Sequence, residues 1–202
     1  MRHWIYGRHA VEAALVNPNR KVYQLCLSKA AVSEFPSSIG NVRPQTVDAK
    51  FFQDRFGAQA VHQGIAAEVE SLVPANLDEI LEEATQEDAS LILILDQVTD
   101  PHNVGAILRT AAALNVKAVI VTDYKSADLF SPVLIKTASG AYEITPILSV
   151  TNLAQALATL KKSGYWLVGM AEGGDQALPE MELTGHWGIV LGAEGKGIRR
   201  LT

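Results

Sequence analysis

Three short runs in the second half of the chain, Leu91–Leu95 (LILIL), Ala118–Asp123 (AVIVTD) and Trp187–Gly192 (WGIVLG), carry apolar residues on consecutive rather than alternate positions. A strand with one face in water alternates, so runs of this kind must be covered on both faces. Helical stretches separate them. One opens at Asp100 and places Val104, Ile107, Leu108 and Ala111 on one face, a second runs through Leu134 to Ala138, and a third spans Leu153 to Leu160. EITPIL (Glu143–Leu148) and YWLVGM (Tyr165–Met170) read as two further strands. The alternation predicts an α/β fold on a parallel sheet with helices on both sides. In such sheets ligands bind beyond the carboxyl ends of the strands.

The front of the chain reads as a second, smaller α/β unit. In YGRHAVEAALV, Val11, Ala14 and Leu15 recur at helical spacing behind Gly7; VYQLCLS (Val22–Ser28) reads as a strand, VDAKFFQDRFG as a helix closed by Gly57, and HQGIAAEVE as an alternating strand. About 70 residues is a normal size for a domain that folds by itself. The stretch NLDEILEEATQEDAS has six acidic residues and no basic one, yet Leu77, Ile80, Leu81 and Ala84 keep a helical stripe, so a solvated connecting helix fits better than an acidic tail. The chain divides on this reading into residues 1–73, an acidic helix at 74–90, and 91–202.

The net charge of −5 hides an asymmetry: residues 1–73 carry +2 and residues 74–202 carry −7. A uniformly basic nucleic-acid surface is excluded, whereas a local basic patch on the front unit is not. The single cysteine, Cys26, lies between Leu25 and Leu27 as a core strand residue and has no partner for an internal disulfide. No apolar run approaches the roughly 18 to 20 residues of a membrane span, and the N-terminus lacks the apolar stretch of an export signal, so a cytoplasmic location is expected. No His/Cys/Asp/Glu group has metal-ligand spacing, and no metal is expected.

Two segments hold polar residues that a core does not need: DPHNVGAILRT (Asp100–Thr110) and VLGAEGKGIRRL (Val190–Leu201), each directly after an apolar strand. Asn103 falls at a capping position of the first helix, a role it can fill whatever the function, and Arg109 alone reads as a surface ion-pair residue. Gly192, Gly195 and Gly197 let backbone N–H groups approach a ligand. The spacing is not GxGxxG, and no Ser or Thr follows the Gly-Lys pair as in a Walker loop. Glu194 would repel a polyphosphate.

Taken in this order, DPHNVGAILRTAAALNV and IVLGAEGKGIRRL resemble the first two motifs of the SpoU (TrmH-like) RNA ribose 2′-O-methyltransferases of the SPOUT superfamily. YGRHAVEAAL, HQGIAAEV and KTASGAYEITPILSVTNLAQAL look like the branch that methylates a guanosine ribose in large-subunit (23S) ribosomal RNA. The resemblance implies a C-terminal SPOUT domain with a deep trefoil knot, a departure from the rule that chains avoid threading. It also implies S-adenosyl-L-methionine as cofactor, a homodimer whose sites draw on both copies, and an L30e-like front domain that presents RNA.

Residue by residue, the resemblance places Asn103, Arg109 and Glu194 in the catalytic set and Leu191, Gly192, Ala193, Gly195 and Gly197 at the cofactor. Arg2, Arg8 and His9 are the candidates for RNA contact in the front unit. Methyl transfer needs an oxygen in line with the sulfonium carbon and loss of the hydroxyl proton, so positioning supplies most of the acceleration. The family account makes the arginine the base. A guanidinium pKa above about 12 leaves little neutral form near pH 7, so holding an RNA phosphate and stabilising the developing alkoxide is an equal alternative. His102, His9 and His62 have loop-shaping or phosphate-contact readings. The family's third motif, a strand and a Ser-Leu-Asn-type turn before a final helix, would follow Thr202, and without it the knot and the cofactor pocket are expected to be incomplete. A tRNA ribose methyltransferase and a noncatalytic RNA-binding protein or inactive fragment are the competing expectations.

Overall fold

The three apolar runs become the middle of a five-stranded sheet, and the front unit builds a four-stranded sheet of its own. The structure, a computed structural model, describes residues 1–35, 42–174, 176–195 and 197–199. In chain order the front elements are β1 (Arg2–Tyr6), α1 (Arg8–Val16), β2 (Val22–Ser28), α2 (Lys29–Glu34), β3 (Pro44–Val47), α3 (Ala49–Phe56) and β4 (Ile65–Glu70). The acidic helix α4 (Leu77–Ala84) follows, and its stripe is buried at Ile80, Leu81 and Ala84. The rest is β5 (Ser90–Asp96), α5 (Pro101–Ala113), β6 (Ala118–Thr122), α6 (Pro132–Thr137), β7 (Ile147–Val150), α7 (Leu153–Lys162), β8 (Trp166–Met170) and β9 (His186–Gly192). Among the described residues no helix is long and apolar enough to cross a membrane.

The front sheet has the order β1-β4-β2-β3, with β4 antiparallel to both of its neighbours. Tyr6 and Ala66 on one face pack on Phe52 of α3, whose N-terminus is capped by Asp48 and whose C-terminus is closed by Gly57 at φ 84°. Cys26 is buried and free, and burial pushes its thiol pKa up. The larger sheet is parallel throughout, in the order β7-β6-β5-β9-β8. Its consecutive apolar residues divide between two cores. Ile92, Ile94, Ala118 and Ile120 face α4 and α7, while Leu95, Val119 and Val121 face α5 and α6. Fully burying such a side chain contributes about 1.5 to 3 kcal/mol, which explains why the central strands cannot alternate.

The core under α5 and α6 continues without a break into the core of the front unit. Arg20 and Glu143, both side chains essentially inaccessible, seal the junction with an ion pair at 2.6 Å. Asn17 Nδ2 donates to the same carboxylate at 2.9 Å, and Arg20 Nη1 donates to the Glu70 carbonyl. This pairing corrects the strand read at EITPIL. Glu143 ends a short 3-10 turn (Ala141–Glu143), and the strand starts only at Ile147, after Pro146, which has no N–H to give a ladder. The strand β1 and the short edge strand β3 are elements the sequence reading did not include.

Removing one partner of a buried pair leaves the other charge uncompensated. Arg20→Ala is therefore expected to lower stability by about 3 to 5 kcal/mol, read from urea unfolding, and by more than Lys117→Ala, whose pairs with Glu83 and Glu87 are exposed on the acidic side. A pH effect comes from His3, whose ring lies 5.4 Å from that of Phe130 and whose Nε2 has no partner among the described residues. Burial first, and then the charge of Arg20, push its pKa from 6.5 down to about 4. The unfolded chain binds this proton more tightly, so the contribution of neutral His3 is complete above pH 6.5 and is lost as pH falls toward 4. Melting temperatures between pH 7 and pH 4.5 should fall, and His3→Phe should flatten that slope.

Candidate active site

The pairing of β5 with β9 ends on Asp96 opposite Gly192, so the segments that follow the two strands start side by side at one edge of the sheet. From β5 the chain moves outward through β6 to β7; it then returns on the other side, through β8 to β9. The reversal makes β5/β9 a topological switch point, the place where open α/β sheets leave a crevice.

Helix α5 rises from this edge, and its cap is Asp100 rather than Asn103. The Asp100 carboxylate accepts from the His102 N–H at 2.8 Å, and Pro101 occupies the first helical turn. Proline suits the first helical position because its fixed φ is already helical and its missing N–H is one the helix cannot satisfy, which sets the cap one residue earlier. Asn103 therefore sits inside the first turn with its amide available. Its Nδ2 donates to Glu194 Oε2 at 3.4 Å, joining the two segments across 91 residues.

The loop after β9 is a tight reversal. Ala193 and Gly197 form an isolated antiparallel bridge, with Gly197 N–H donating to the Ala193 carbonyl at 2.9 Å. Gly195 and Gly197 take φ values of 73° and 63°, which side chains disfavour. Gly192 is small for a different reason: a Cβ there would lie 2.0 Å from the carbonyl carbon of Gly197, so the loop's own backbone fills that space. Among the described residues nothing lies within 4 Å of a Cβ position at Gly195, which is exposed.

Two residues that the sequence reading did not single out hold this loop down. Asp96, fully buried at the end of β5, accepts from the Arg199 backbone N–H at 3.0 Å and from Arg199 Nε at 2.7 Å. A carboxylate carried into a core must be paired, so an acidic residue closing an apolar strand was the available signal. Leu191 packs partly into the core beneath. Of the remaining expected residues, Arg109 is exposed, has no hydrogen bond or ion pair among the described residues, and lies about 9 Å along the helix from Asn103. The structure does not bring it to the Asn103–Glu194 pair. Lys196, Arg200 and Leu201 of the second segment lie outside the described residues.

The front-unit candidates do not converge either. Arg8 is tied to Glu34 at 3.1 Å and to Glu12 at 3.6 Å, His9 is exposed beside it, and Arg2 stands at the far end of β1 over the Tyr23 ring. His62 stacks on Phe52 and accepts from the Gly64 N–H, and burial lowers its pKa. His102 Nδ1 meets the Thr137 hydroxyl at 3.3 Å. A cavity of about 830 Å³ lies elsewhere, against the β7 edge between the two units, and contains no residue of either polar segment.

Among the described residues Glu194 bonds only the neutral amide of Asn103, while the charge of Asp96 is met by Arg199. An exposed carboxylate beside glycine backbone suits a cationic, hydrogen-bonding ligand, and S-adenosyl-L-methionine with its sulfonium has that character. The loop's geometry depends on its latch. Asp96→Asn is expected to raise amide hydrogen exchange at Gly197 and Arg199 by at least tenfold in the ligand-free protein, with exchange in β6 unchanged.

Residues 90–202 match the family model described as SpoU rRNA Methylase family, and residues 4–75 match that described as RNA 2′-O ribose methyltransferase substrate binding. Among curated proteins, the 23S rRNA (guanosine-2′-O-)-methyltransferase RlmB of Pseudomonas putida is 43% identical over 98% of this chain and 82% of its own length. RlmB of Pseudomonas aeruginosa is 42% identical over 100% of this chain and 84% of its own. Among solved structures, the SpoU methyltransferase AviRb from Streptomyces viridochromogenes, in complex with AdoMet, superposes with a TM-score of 0.79 over 98% of this chain and 76% of that one, at 19% identity.

Proposed function

Because the chain belongs to the SpoU rRNA methylase family, we propose that it transfers the methyl group of S-adenosyl-L-methionine to the ribose 2′-hydroxyl of a guanosine in 23S ribosomal RNA. The observation that carries this reading is the identity of 43% over nearly the whole chain to a protein of that activity. Bound S-adenosyl-L-methionine supplies a methyl group activated by positively charged sulfur. Leu191, Gly192, Ala193, Gly195 and Gly197 would hold it, with the exposed Glu194 carboxylate available to its positive charge.

Asn103 fixes the orientation of Glu194, and Arg109, without an intramolecular partner among the described residues, holds an RNA phosphate next to the target ribose. There it stabilises the alkoxide that develops as the hydroxyl proton leaves to solvent at this exposed edge. The separation of Arg109 from Asn103 supports a homodimer in which the arginine of one copy serves the loop of the other. The same reading takes the passage of Arg199 across the end of β5 as part of a trefoil knot, residues 1–73 as the RNA-presenting domain, and the cytoplasm as the place of work.

Transfer of labelled methyl to 23S ribosomal RNA fragments, with tRNA alongside, tests the assignment. Label should appear as 2′-O-methylguanosine in the ribosomal fragment, and Arg109→Ala should slow transfer by about 100-fold, the loss typical of removing one preorganised charge-stabilising group. Label on tRNA alone, or on a base, would sink it.

A further inference from the structure

On the side of the front sheet covered by α3, three cations lie on aromatic rings. The Arg2 guanidinium is 3.6 Å from the centroid of Tyr23, and the Lys21 ammonium is 4.9 Å from the same ring. Arg55 lies 4.2 Å from Trp4 and 4.8 Å from Phe51. All three are exposed, and none of their side chains has a hydrogen bond or ion pair among the described residues. These are four cation–ring contacts made by three cations on two patches of one small unit.

The backbone is also adapted to the arrangement. Val22 pairs with Val69 and Gln24 with Glu68, so Tyr23 is the extra residue of a β-bulge, a device that re-aims a side chain. Glu68 and Glu70 on β4 sit opposite Trp4 and Arg2, so the face is not a uniform anion trap. It offers flat rings with a cation at each, which is what alternating bases and phosphates need and what a duplex, with its bases stacked inside, cannot use.

We propose that this face binds single-stranded RNA, with bases stacking at Tyr23 and Trp4 and phosphates at Arg2, Lys21 and Arg55. The proposal rests on the reading of the chain as an RNA methyltransferase, and it gives the net +2 of the front unit a location. The face is turned away from the core shared with the larger unit.

The test is fluorescence anisotropy of a labelled 15-nucleotide oligouridine with the whole chain across a salt series. Combined Arg2→Gln, Lys21→Gln and Arg55→Gln should weaken binding at least tenfold and lower the slope of log affinity against log salt by about 2, since each phosphate contact on a single strand contributes about 0.7. Tyr23→Leu should weaken binding several-fold with the slope unchanged. Lys161→Gln with Lys162→Gln, a similar charge change on α7, should alter neither. Unchanged affinity and slope in the triple variant, at unchanged melting temperature, overturn the proposal, and so does a wild-type chain that does not bind the oligonucleotide. Loss of binding in the triple variant without methyl transfer by the wild type would overturn the enzymatic reading and leave the face standing.

Discussion

Insertion of β9 between β5 and β8 is the constraint on which the rest of the larger unit depends. It gives the sheet its central parallel pair, and that pair brings two segments together whose key residues, Asn103 and Glu194, are 91 positions apart in sequence. If β9 had joined the sheet outside β8, both segments would still exist, each with its glycines and polar residues, and neither would have a partner. Every contact that gives the site chemical character follows from this placement. The carboxylate of Glu194 meets the amide of Asn103, and Arg199 crosses to Asp96.

Long-range ion pairs fix the geometry at two junctions. Arg20–Glu143 joins the two units, and Asp96–Arg199 joins the end of one strand to the loop after another. The first pair is buried on both sides, and in the second the buried Asp96 meets a half-exposed Arg199; pairs with a buried charge add little net stability compared with well-packed apolar residues, because desolvation offsets most of the attraction. Their value lies in what they exclude. A methylene surface can slide against its neighbour with little penalty, whereas a buried carboxylate that loses its guanidinium is left stranded. The junction of the two units and the position of the loop are therefore each set to one arrangement.

The strands of the larger sheet were legible because being covered on both faces forces consecutive apolar residues, as in LILIL and WGIVLG. The acidic helix was legible from its stripe. Strand β1 was not, because RHWIY carries an arginine and a histidine whose placement depends on Tyr23 and Phe130, residues far away in sequence. EITPIL looked like a strand by propensity, and the tertiary pull of Arg20 on Glu143 decided otherwise. At the site, the paired glycine and polar motifs were visible in the sequence. The cap was misplaced because Asp100 and Asn103 are both good capping residues, and only the proline between them distinguishes the two. Asp96 was missed because a carboxylate at a strand end ordinarily reads as the start of a solvated loop; its burial depends on a chain segment that arrives 103 residues later.

The late arrival of β9 has a consequence for biosynthesis. A nascent chain, emerging N-terminus first, can complete the front sheet and pair β5 with β6 and β6 with β7, but the position between β5 and β8 has to wait for residues 186–192. Contacts this distant in sequence form slowly, because loop closure precedes any stabilisation. During translation, the apolar flank of β5 stands open as an unpaired edge of the kind that attracts foreign strands. Protection of that flank by a chaperone, or by the speed of elongation itself, would then matter more for the yield of active protein than the strength of any finished contact.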